Sequence, residues 1–200
     1  MTAQPTEPNT PQQRRWLFVN SMYRYHDALT ADPRQAAEAR RVLARLRRSF
    51  AGPRQEAEAY DVVFEHDPPE AEQEIWLLVA GLFALHPQPR PRKDTRGSIG
   101  TAMRALSQPP TESTTRRFQQ LLAVDRNALP HYLRQCVQML RTKNVAVDYD
   151  QLLDDLVVVL GPYSRDEEVR RVRLRWARDY HRKPRAGQDA TTKVESPSIA

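Results

Sequence analysis

Apolar residues recur at intervals of three and four positions along most of this chain, and few stretches alternate between apolar and polar residues with a period of two. Spacings of three and four place apolar side chains on one face of a helix, whereas alternation is typical of a strand. Most of the 16 prolines stand between the periodic segments, where proline ends one helix or begins the next. The pattern predicts an all-α protein.

The first two predicted helices are amphipathic. One spans residues 11–29, with Trp16, Val19 and Met22 as its inner stripe. The next begins at Asp32, because a carboxylate at this position accepts hydrogen bonds from the free amide groups of a first helical turn. Its apolar residues repeat at helical spacing, so one face is expected to be buried while arginines occupy the other.

Two further helices complete the first half. An acidic one is predicted to end near Phe64, and the run "IWLLVAGLFAL" at residues 75–85 predicts a buried helix. This longest apolar run is shorter than the ~18 residues that a membrane-spanning helix needs. The first ten residues are polar and lack the apolar region of a secretory signal. We therefore expect no membrane partner and a cytoplasmic location.

The second half repeats the helical pattern after a basic, proline-rich segment. Residues 87–98 hold three prolines and four basic side chains, a composition typical of a stiff linker between domains. Five helices are predicted beyond it, at residues 98–107, 111–123, 127–141, 149–160 and 164–182. The sequence thus predicts two helical-bundle domains joined by a Pro/Arg-rich linker. The predicted parts are a disordered N-terminus (1–10), an N-terminal domain (11–87), a linker (88–97), a C-terminal domain (98–183) and a disordered tail (184–200).

Charge and cysteine content narrow the classes of function. The chain has 31 Lys and Arg against 25 Asp and Glu, which gives a net charge of +6 and a pI of about 9.8. This balance favours a polyanionic partner, most simply nucleic acid, although a merely basic protein would look the same. Cys136 is the only cysteine, so an intramolecular disulfide and a cysteine-based zinc site are excluded. Its helical context predicts a small core residue.

The last predicted helix separates apolar and basic residues. One side carries residues at helical spacing: Val169, Val172, Trp176 and Tyr180. Another side carries arginines at steps of four, three and four: Arg171, Arg175, Arg178 and Arg182. A solvated helix face usually mixes both signs of charge, and guanidinium groups bind phosphate in a bidentate manner. The second stripe therefore predicts an outward-facing contact for a phosphate backbone.

The stretch "RGSIG", residues 96–100, allows two interpretations. It lacks the Lys-Ser/Thr ending of a P-loop and the third glycine of a dinucleotide motif, so a nucleotide pocket is not predicted. Ser98 is expected to cap a helix, and Gly100 lets another group lie close to its first turn. That group is either a second helix or a phosphate held between Arg96 and Arg104. Both alternatives stay open at this point.

Catalytic and metal-binding patterns are weak. The five histidines share no metal-ligand spacing, and no serine nucleophile motif occurs. The segment "VDYDQLLDD" gathers four carboxylates but lacks the glycine and terminal Glu of an EF-hand. We interpret Asp148 and Asp150 as helix caps, and Asp154 and Asp155 as surface acids. No cofactor, metal or catalytic residue is predicted.

Several segments taken in order resemble one protein family. They are "WLLVAGLFALHP", "GSIGTAMRAL", "RRFQQLLAVDRNALPHYLRQCVQML", "VDYDQLLDDL" and "VRRVRLRWARDYH". In sequence and spacing this set resembles the CasB family, the small subunit of the type I-E CRISPR surveillance complex Cascade. The resemblance covers about residues 12–182.

The resemblance implies a non-enzymatic, all-helical subunit with two helical domains. Its implied partners are the backbone and large subunits of Cascade, a second copy of itself, the guide RNA (crRNA) and the target DNA. Its basic surface is implied to stabilise the displaced non-target strand of the R-loop. Basic residues at matching motif positions are Arg47, Arg48, Arg116, Arg117, Arg126 and Arg134.

Two positions depart from the family pattern. Ala123 and Gln135 stand where family members often carry a basic residue. If the basic residues at these positions bind DNA in other family members, this chain must compensate for their absence. We infer that the arginines of the last helix do so. The full predicted nucleic-acid-binding set is Arg47, Arg48, Arg96, Arg104, Arg116, Arg117, Arg126, Arg134, Arg171, Arg175 and Arg178.

Three other classes of function compete with this prediction. A protein-only scaffold would use the arginine faces to dock acidic partner subunits. An enzyme such as a nuclease would depend on metal held by Asp148 or Asp150. A sequence-specific repressor would need a helix-turn-helix motif with a distinct recognition helix, and none is evident.

Overall fold

The computed structural model describes residues 9–93, 95–106 and 109–182. Within these ranges the regular structure is helical throughout, which confirms the predicted all-α class. The helices are α1 (Pro11–Ala28), α2 (Pro33–Arg48), α3 (Pro53–Ala57), α4 (Tyr60–Phe64), α5 (Gln73–Leu85), α6 (Ile99–Ala105), α7 (Glu112–Ala123), α8 (Leu129–Thr142), α9 (Tyr149–Leu160) and α10 (Asp166–His181). Of the residues predicted to be disordered (1–10 and 184–200), 1–8 and 184–200 lie outside the described residues, whereas Thr10 caps α1.

Helix starts follow the predicted capping chemistry. The Asp32 carboxylate accepts from the amides of Arg34 (2.9 Å) and Gln35 (3.2 Å), and Asp148 accepts from Gln151 (3.3 Å). The predicted caps Asp32 and Asp148 are confirmed. The prediction of Asp150 as a cap is wrong, because it lies in the first turn of α9 and pairs with Arg90. The acidic segment before residue 65 forms the two short helices α3 and α4 instead of one.

Helix α5 lies at the centre of the fold. Every residue from Ile75 to Leu85 is buried, because α2, α4, α8 and α9 surround it. None of the helices in the described ranges is both long and apolar enough to cross a bilayer. Cys136 on α8 is 1% exposed, which confirms its prediction as a core residue.

The inner stripe predicted for α1 is partly wrong. Val19 and Met22 are buried, but Trp16 is 54% exposed. The neighbouring Arg15 makes polar contacts at this turn, where its guanidinium reaches Glu72 and Asp154. These ion pairs take the place of an apolar contact, so the indole stays outside the core.

The segment after α5 binds directly to the second half of the chain. The ring nitrogen Nε2 of His86 lies 2.8 Å from the carbonyl oxygen of Val145, and the amide of Gln88 donates to Val147. Arg90 forms an ion pair with Asp150. Buried residues from both halves form one contiguous cluster. The division into two domains with a linker stays a prediction.

Helices α6 and α10 pack at very close range. A Cβ atom on Gly100 would lie 2.0 Å from the carbonyl oxygen of Trp176. The Ser98 hydroxyl donates to the Asp179 carboxylate at 2.7 Å instead of capping α6 through its side chain. Of the two alternatives for "RGSIG", the structure therefore supports packing, since α10 occupies the space that a phosphate would need.

Candidate nucleic-acid interface

Two of the predicted arginines line one groove between α7 and α8. Helix α7 buries Phe118 and Leu121 and turns Arg116 and Arg117 outward. The hydroxyl of Thr111 accepts from the Thr114 amide at 3.2 Å, which fixes the first turn of the helix. The groove measures about 870 Å³, and its lining is polar: Thr111, Glu112, Ser113, Arg116, Arg117, Gln120 and Gln135. We call it the basic groove.

The arginines of the basic groove are available to an anion. Arg116 donates to Glu112 at 2.7 Å, but the two side chains are 68% and 87% exposed. Such exposed pairs contribute only about 0.2–1 kcal/mol, so a phosphate replaces the carboxylate at little cost. Within the part of the chain that the structure describes, Arg117 makes no ion pair or hydrogen bond.

Two glutamines of the basic groove were missed by sequence reasoning. Gln120 stands one turn after Arg116 and Arg117, and this spacing was a signal that could have found it. Gln135 comes from α8, where its amide nitrogen lies 2.7 Å from Nε2 of His131. From the sequence, Gln135 was noted only as a departure from the family pattern. In the structure it lines the same groove as Arg116 and Arg117.

Arg126 and Arg134 do not line the basic groove. The Arg134 guanidinium stacks over the Phe50 ring, 5.2 Å from its centroid. Arg126 lines a second cavity of about 800 Å³, to which Phe50, Glu70 and Glu74 also contribute. We call this cavity the acidic hollow. The structure therefore separates this predicted pair from the basic groove.

The two predicted arginines of α2 contact other parts of the protein. Arg47 donates through Nε to the carbonyl oxygen of Ala84 at 2.9 Å. This contact satisfies a carbonyl in the last turn of α5. Arg48 forms an exposed ion pair with Glu58 at 3.3 Å.

Arg96, Arg104 and Arg178 belong to the region where α6 meets the end of α10. Arg104 donates to the carbonyl oxygen of Arg182 at 2.8 Å, and Arg96 makes a long contact of 3.5 Å to that of Pro91. Arg178 is 75% exposed. The structure brings Arg104 to Arg182, directly after α10, but it does not place these residues in the basic groove.

The outward stripe predicted on α10 is interrupted at Arg175. Its guanidinium pairs with Asp155, which is 1% exposed, so the prediction of Asp155 as a surface acid is wrong. The carboxylate also accepts from the indole of Trp176, and this buried contact joins α9 to α10. Arg171, in contrast, is 76% exposed and pairs loosely with Glu167 at 3.7 Å.

The carboxylates near the start of α9 do not assemble a metal site. Among the described residues no group of three or more His, Cys, Asp or Glu side chains is placed to hold an ion. Burial raises the pKa of Asp150, and the nearby Arg90 charge opposes this effect. Asp154 contacts Arg15, so the two acids serve contacts within the protein.

Comparison with known proteins points to one family. A family model described as CRISPR-associated protein Cse2 matches residues 42–181. A search of curated protein sequences gave no match.

Solved structures of similar fold agree with this match. CasB from Thermus thermophilus is 28% identical, with a TM-score of 0.56 over 80% of this chain and 96% of that chain. CasB from Thermobifida fusca is 25% identical, with a TM-score of 0.59 over 86% of this chain and 96% of that chain. A chain of a CRISPR RNA-guided surveillance complex is 22% identical, with a TM-score of 0.61 over 86% of this chain and 92% of that chain.

Proposed function

Because the chain belongs to the CRISPR-associated Cse2 family, also known as CasB, we propose that it is a non-catalytic, nucleic-acid-binding small subunit of a CRISPR surveillance complex of the Cascade type. In this role it stabilises guide RNA, target DNA and the displaced strand of the R-loop. Its protein partners are the backbone and large subunits and a second copy of itself.

The basic groove is the observation that carries this proposal. It is the place where two predicted arginines, Arg116 and Arg117, converge with further polar donors on a chain of net charge +6. A guanidinium group offers phosphate two parallel hydrogen bonds. The amides of Gln120 and Gln135 add neutral donors that suit sugar and phosphate oxygens.

The groove suits a strand without regard to its sequence. No aromatic residue is among those that line it, so base stacking contributes little and phosphate contacts dominate. Affinity should then fall steeply as salt concentration rises, because binding releases counterions from the strand. Such behaviour fits a subunit that holds whatever sequence the complex has opened.

The other predicted arginines take lesser parts in this proposal. Arg96, Arg171 and Arg178 are exposed and suit additional phosphate contacts, whereas Arg175 is engaged by Asp155. Arg47, Arg48 and Arg104 would each exchange an internal contact for a phosphate. Arg126 and Arg134 would contact the strand only outside the basic groove.

A double substitution in the basic groove tests the proposal. We expect R116A/R117A to weaken binding to single-stranded DNA of any sequence. The slope of the logarithm of the binding constant against the logarithm of the salt concentration should become shallower by about 0.7 per lost phosphate contact. Filter binding across a range of salt concentrations measures both quantities.

A second arginine pair provides the matched control. Arg40 and Arg41 are also consecutive and exposed, and Arg41 pairs with Glu38 much as Arg116 pairs with Glu112. R40A/R41A removes the same charge but leaves the groove intact, so its effect should be much smaller. Equal losses in the two variants, with both proteins folded, would contradict a specific role for the groove.

A further inference from the structure

The acidic hollow has an apolar floor. The first turns of α5 supply Ile75, Leu77 and Leu78 to it, and Phe50 and Leu160 close its sides. At about 800 Å³ it is large enough for several side chains of another molecule. Two of its leucines, Leu77 and Leu78, are each 8% exposed, so a small part of each side chain is accessible from the hollow.

The charge around this floor is opposite to that of the whole protein. Glu56, Glu70 and Glu74 line the hollow, and Arg126 is the one cation among its lining residues. Glu56 accepts from the Tyr60 hydroxyl at 3.1 Å. Glu70 and Glu74 are exposed and make no ion pair or side-chain hydrogen bond to any other described residue. A polyanion is therefore repelled here, while a cation meets two free carboxylates.

We propose that the acidic hollow receives a cationic segment of a partner protein. The aliphatic stems of lysine or arginine, or neighbouring apolar side chains, pack on Leu77 and Leu78. The charged heads reach Glu70 and Glu74 at the rim. Long basic side chains suit such a site because they bury their stems while the head stays near water.

A second copy of this chain is a poorer occupant. Its most exposed apolar residue on α10 is Leu174, at 52% exposure, and arginines flank it. However, Glu167 lies two turns earlier on the same face of that helix. Docking this face would bring a further carboxylate towards Glu70 and Glu74.

Binding of model peptides by the full-length chain tests the proposal. The probes are a fluorescein-labelled helical peptide of leucine and lysine and its counterpart with glutamate in place of lysine. We expect the lysine peptide to bind despite the net positive charge of the protein, and the glutamate peptide to fail. E70Q/E74Q should weaken binding of the lysine peptide by about tenfold. Fluorescence anisotropy measures each affinity.

Two further variants separate the hollow from general electrostatics. E65Q/E167Q removes two exposed carboxylates outside the hollow and should leave the affinity within twofold of wild type. N127W places an indole at the rim and should block the lysine peptide without changing any charge. Absent binding by the wild type, or equal losses in E65Q/E167Q and E70Q/E74Q, would overturn the proposal.

Two other measurements complete the test. Sedimentation velocity reports self-association, and a wild-type dimer that E70Q/E74Q abolishes would reassign the hollow to a second copy and overturn the partner assignment. Filter binding of single-stranded DNA should be unchanged in E70Q/E74Q, because neither glutamate lines the basic groove. Loss of DNA binding in this folded variant would show that the hollow is part of the nucleic-acid surface.

Discussion

At the scale of single residues, Glu72 joins three parts of the fold through one carboxylate. It accepts from Nε of Arg15 at 2.8 Å and from the indole of Trp76 at 3.0 Å, while Arg15 extends to Asp154. Burial by itself would raise the pKa of Glu72. The hydrogen bonds from Arg15 and Trp76 and the Arg15 charge outweigh burial and leave the pKa below its ordinary value.

This lowered pKa predicts a pH-dependent contribution to stability. Folding favours the ionised form of Glu72, so its stabilisation is complete above the ordinary pKa of 4.5 and is lost as the pH falls through the lower folded value. We expect Glu72→Gln to reduce the free energy of unfolding at neutral pH by about 1–3 kcal/mol. Urea unfolding at pH 7 and at successively lower pH measures the difference, which should shrink in acid.

An exposed carboxylate provides the comparison for this prediction. Glu65→Gln should leave the free energy of unfolding nearly unchanged at every pH, since Glu65 is exposed. A Glu72→Gln deficit that stays constant down to strong acid would contradict the assignment of the stabilisation to the ionised carboxylate.

The adjacent acids Asp154 and Asp155 show what residue-level patterns leave out. The two acids stand together between leucines in "LLDDL", and from the sequence both are interpreted as surface acids. In the fold, Asp154 lies at the surface beside Arg15, whereas Asp155 is buried against Trp176 and Arg175. Helical periodicity alone does not show how much of the surface of α9 is buried. The packing of α10 against α9 extends the buried face as far as Asp155.

At the scale of helices, the contact between α6 and α10 is set by the absence of one side chain. Gly100 allows the α6 backbone to lie against the Trp176 carbonyl, and Ser98 holds Asp179 beside it. Arg173 adds a second tie, since its guanidinium donates to the carbonyl oxygens of Leu122 and Val124 at the end of α7. Helix α10 is therefore held in two places, by α6 and by the end of α7.

Replacement of the glycine should separate these helices. Gly100→Ala puts a Cβ atom 2.0 Å from a backbone oxygen that cannot rotate away. We expect a loss of about 3 kcal/mol in the free energy of unfolding, despite the better helix propensity of alanine. Thermal or urea unfolding followed by circular dichroism measures the loss.

A second glycine in the same segment serves as the control. The three atoms nearest to a Cβ atom on Gly97 all belong to the side chain of Thr101, and the nearest of them, the hydroxyl at 2.6 Å, can rotate away. Gly97→Ala should therefore cost about 1 kcal/mol or less. Equal losses at the two positions would argue against the tight backbone contact as the cause.

Most helices were predictable because their signals are local. Prolines and the capping residues Asp32 and Asp148 mark starts, and three- and four-residue spacing marks buried faces. The break between α3 and α4 was not predictable in this way, since no proline or glycine stands between them. The exposure of Trp16 was missed because it depends on Arg15 contacts with residues far away in the sequence.

At the scale of the molecule, the two halves share their buried surface. Tyr149 packs against Tyr23 and Phe83 with ring centroids 6.5 and 5.0 Å apart, and its hydroxyl donates to the carbonyl oxygen of Leu82. Arg90 stacks over Tyr23 at 4.5 Å while it pairs with Asp150. These contacts join α1 and α5 to α9.

A shared core predicts one cooperative unfolding transition. Trp76 reports on the first half and Trp176 on the second, and both are fully buried. In the single-tryptophan variants W16F/W176F and W16F/W76F, we expect the fluorescence midpoint in urea to coincide with the far-UV circular dichroism midpoint. Separate fluorescence and circular dichroism transitions would instead support two independent domains joined by a linker.

The candidate site was predictable only in part. The pair Arg116 and Arg117 stood out because two cations precede an apolar helical stripe, and local spacing places them outside. The approach of Gln135 to this pair, and the separation of Arg134 from it, depend on how α8 is rotated against α7. That rotation is set by the packing of Leu133, Cys136 and Val137, which sequence spacing alone does not orient.

Helix α8 has one further consequence for how this protein meets other molecules. Its Gln135 lines the basic groove and its Pro130 lines the acidic hollow, so one helix contributes to both surfaces. The two surfaces carry lining charges of opposite net sign, which gives the molecule an electrical polarity. This polarity orients the protein during diffusion, before any short-range contact has formed.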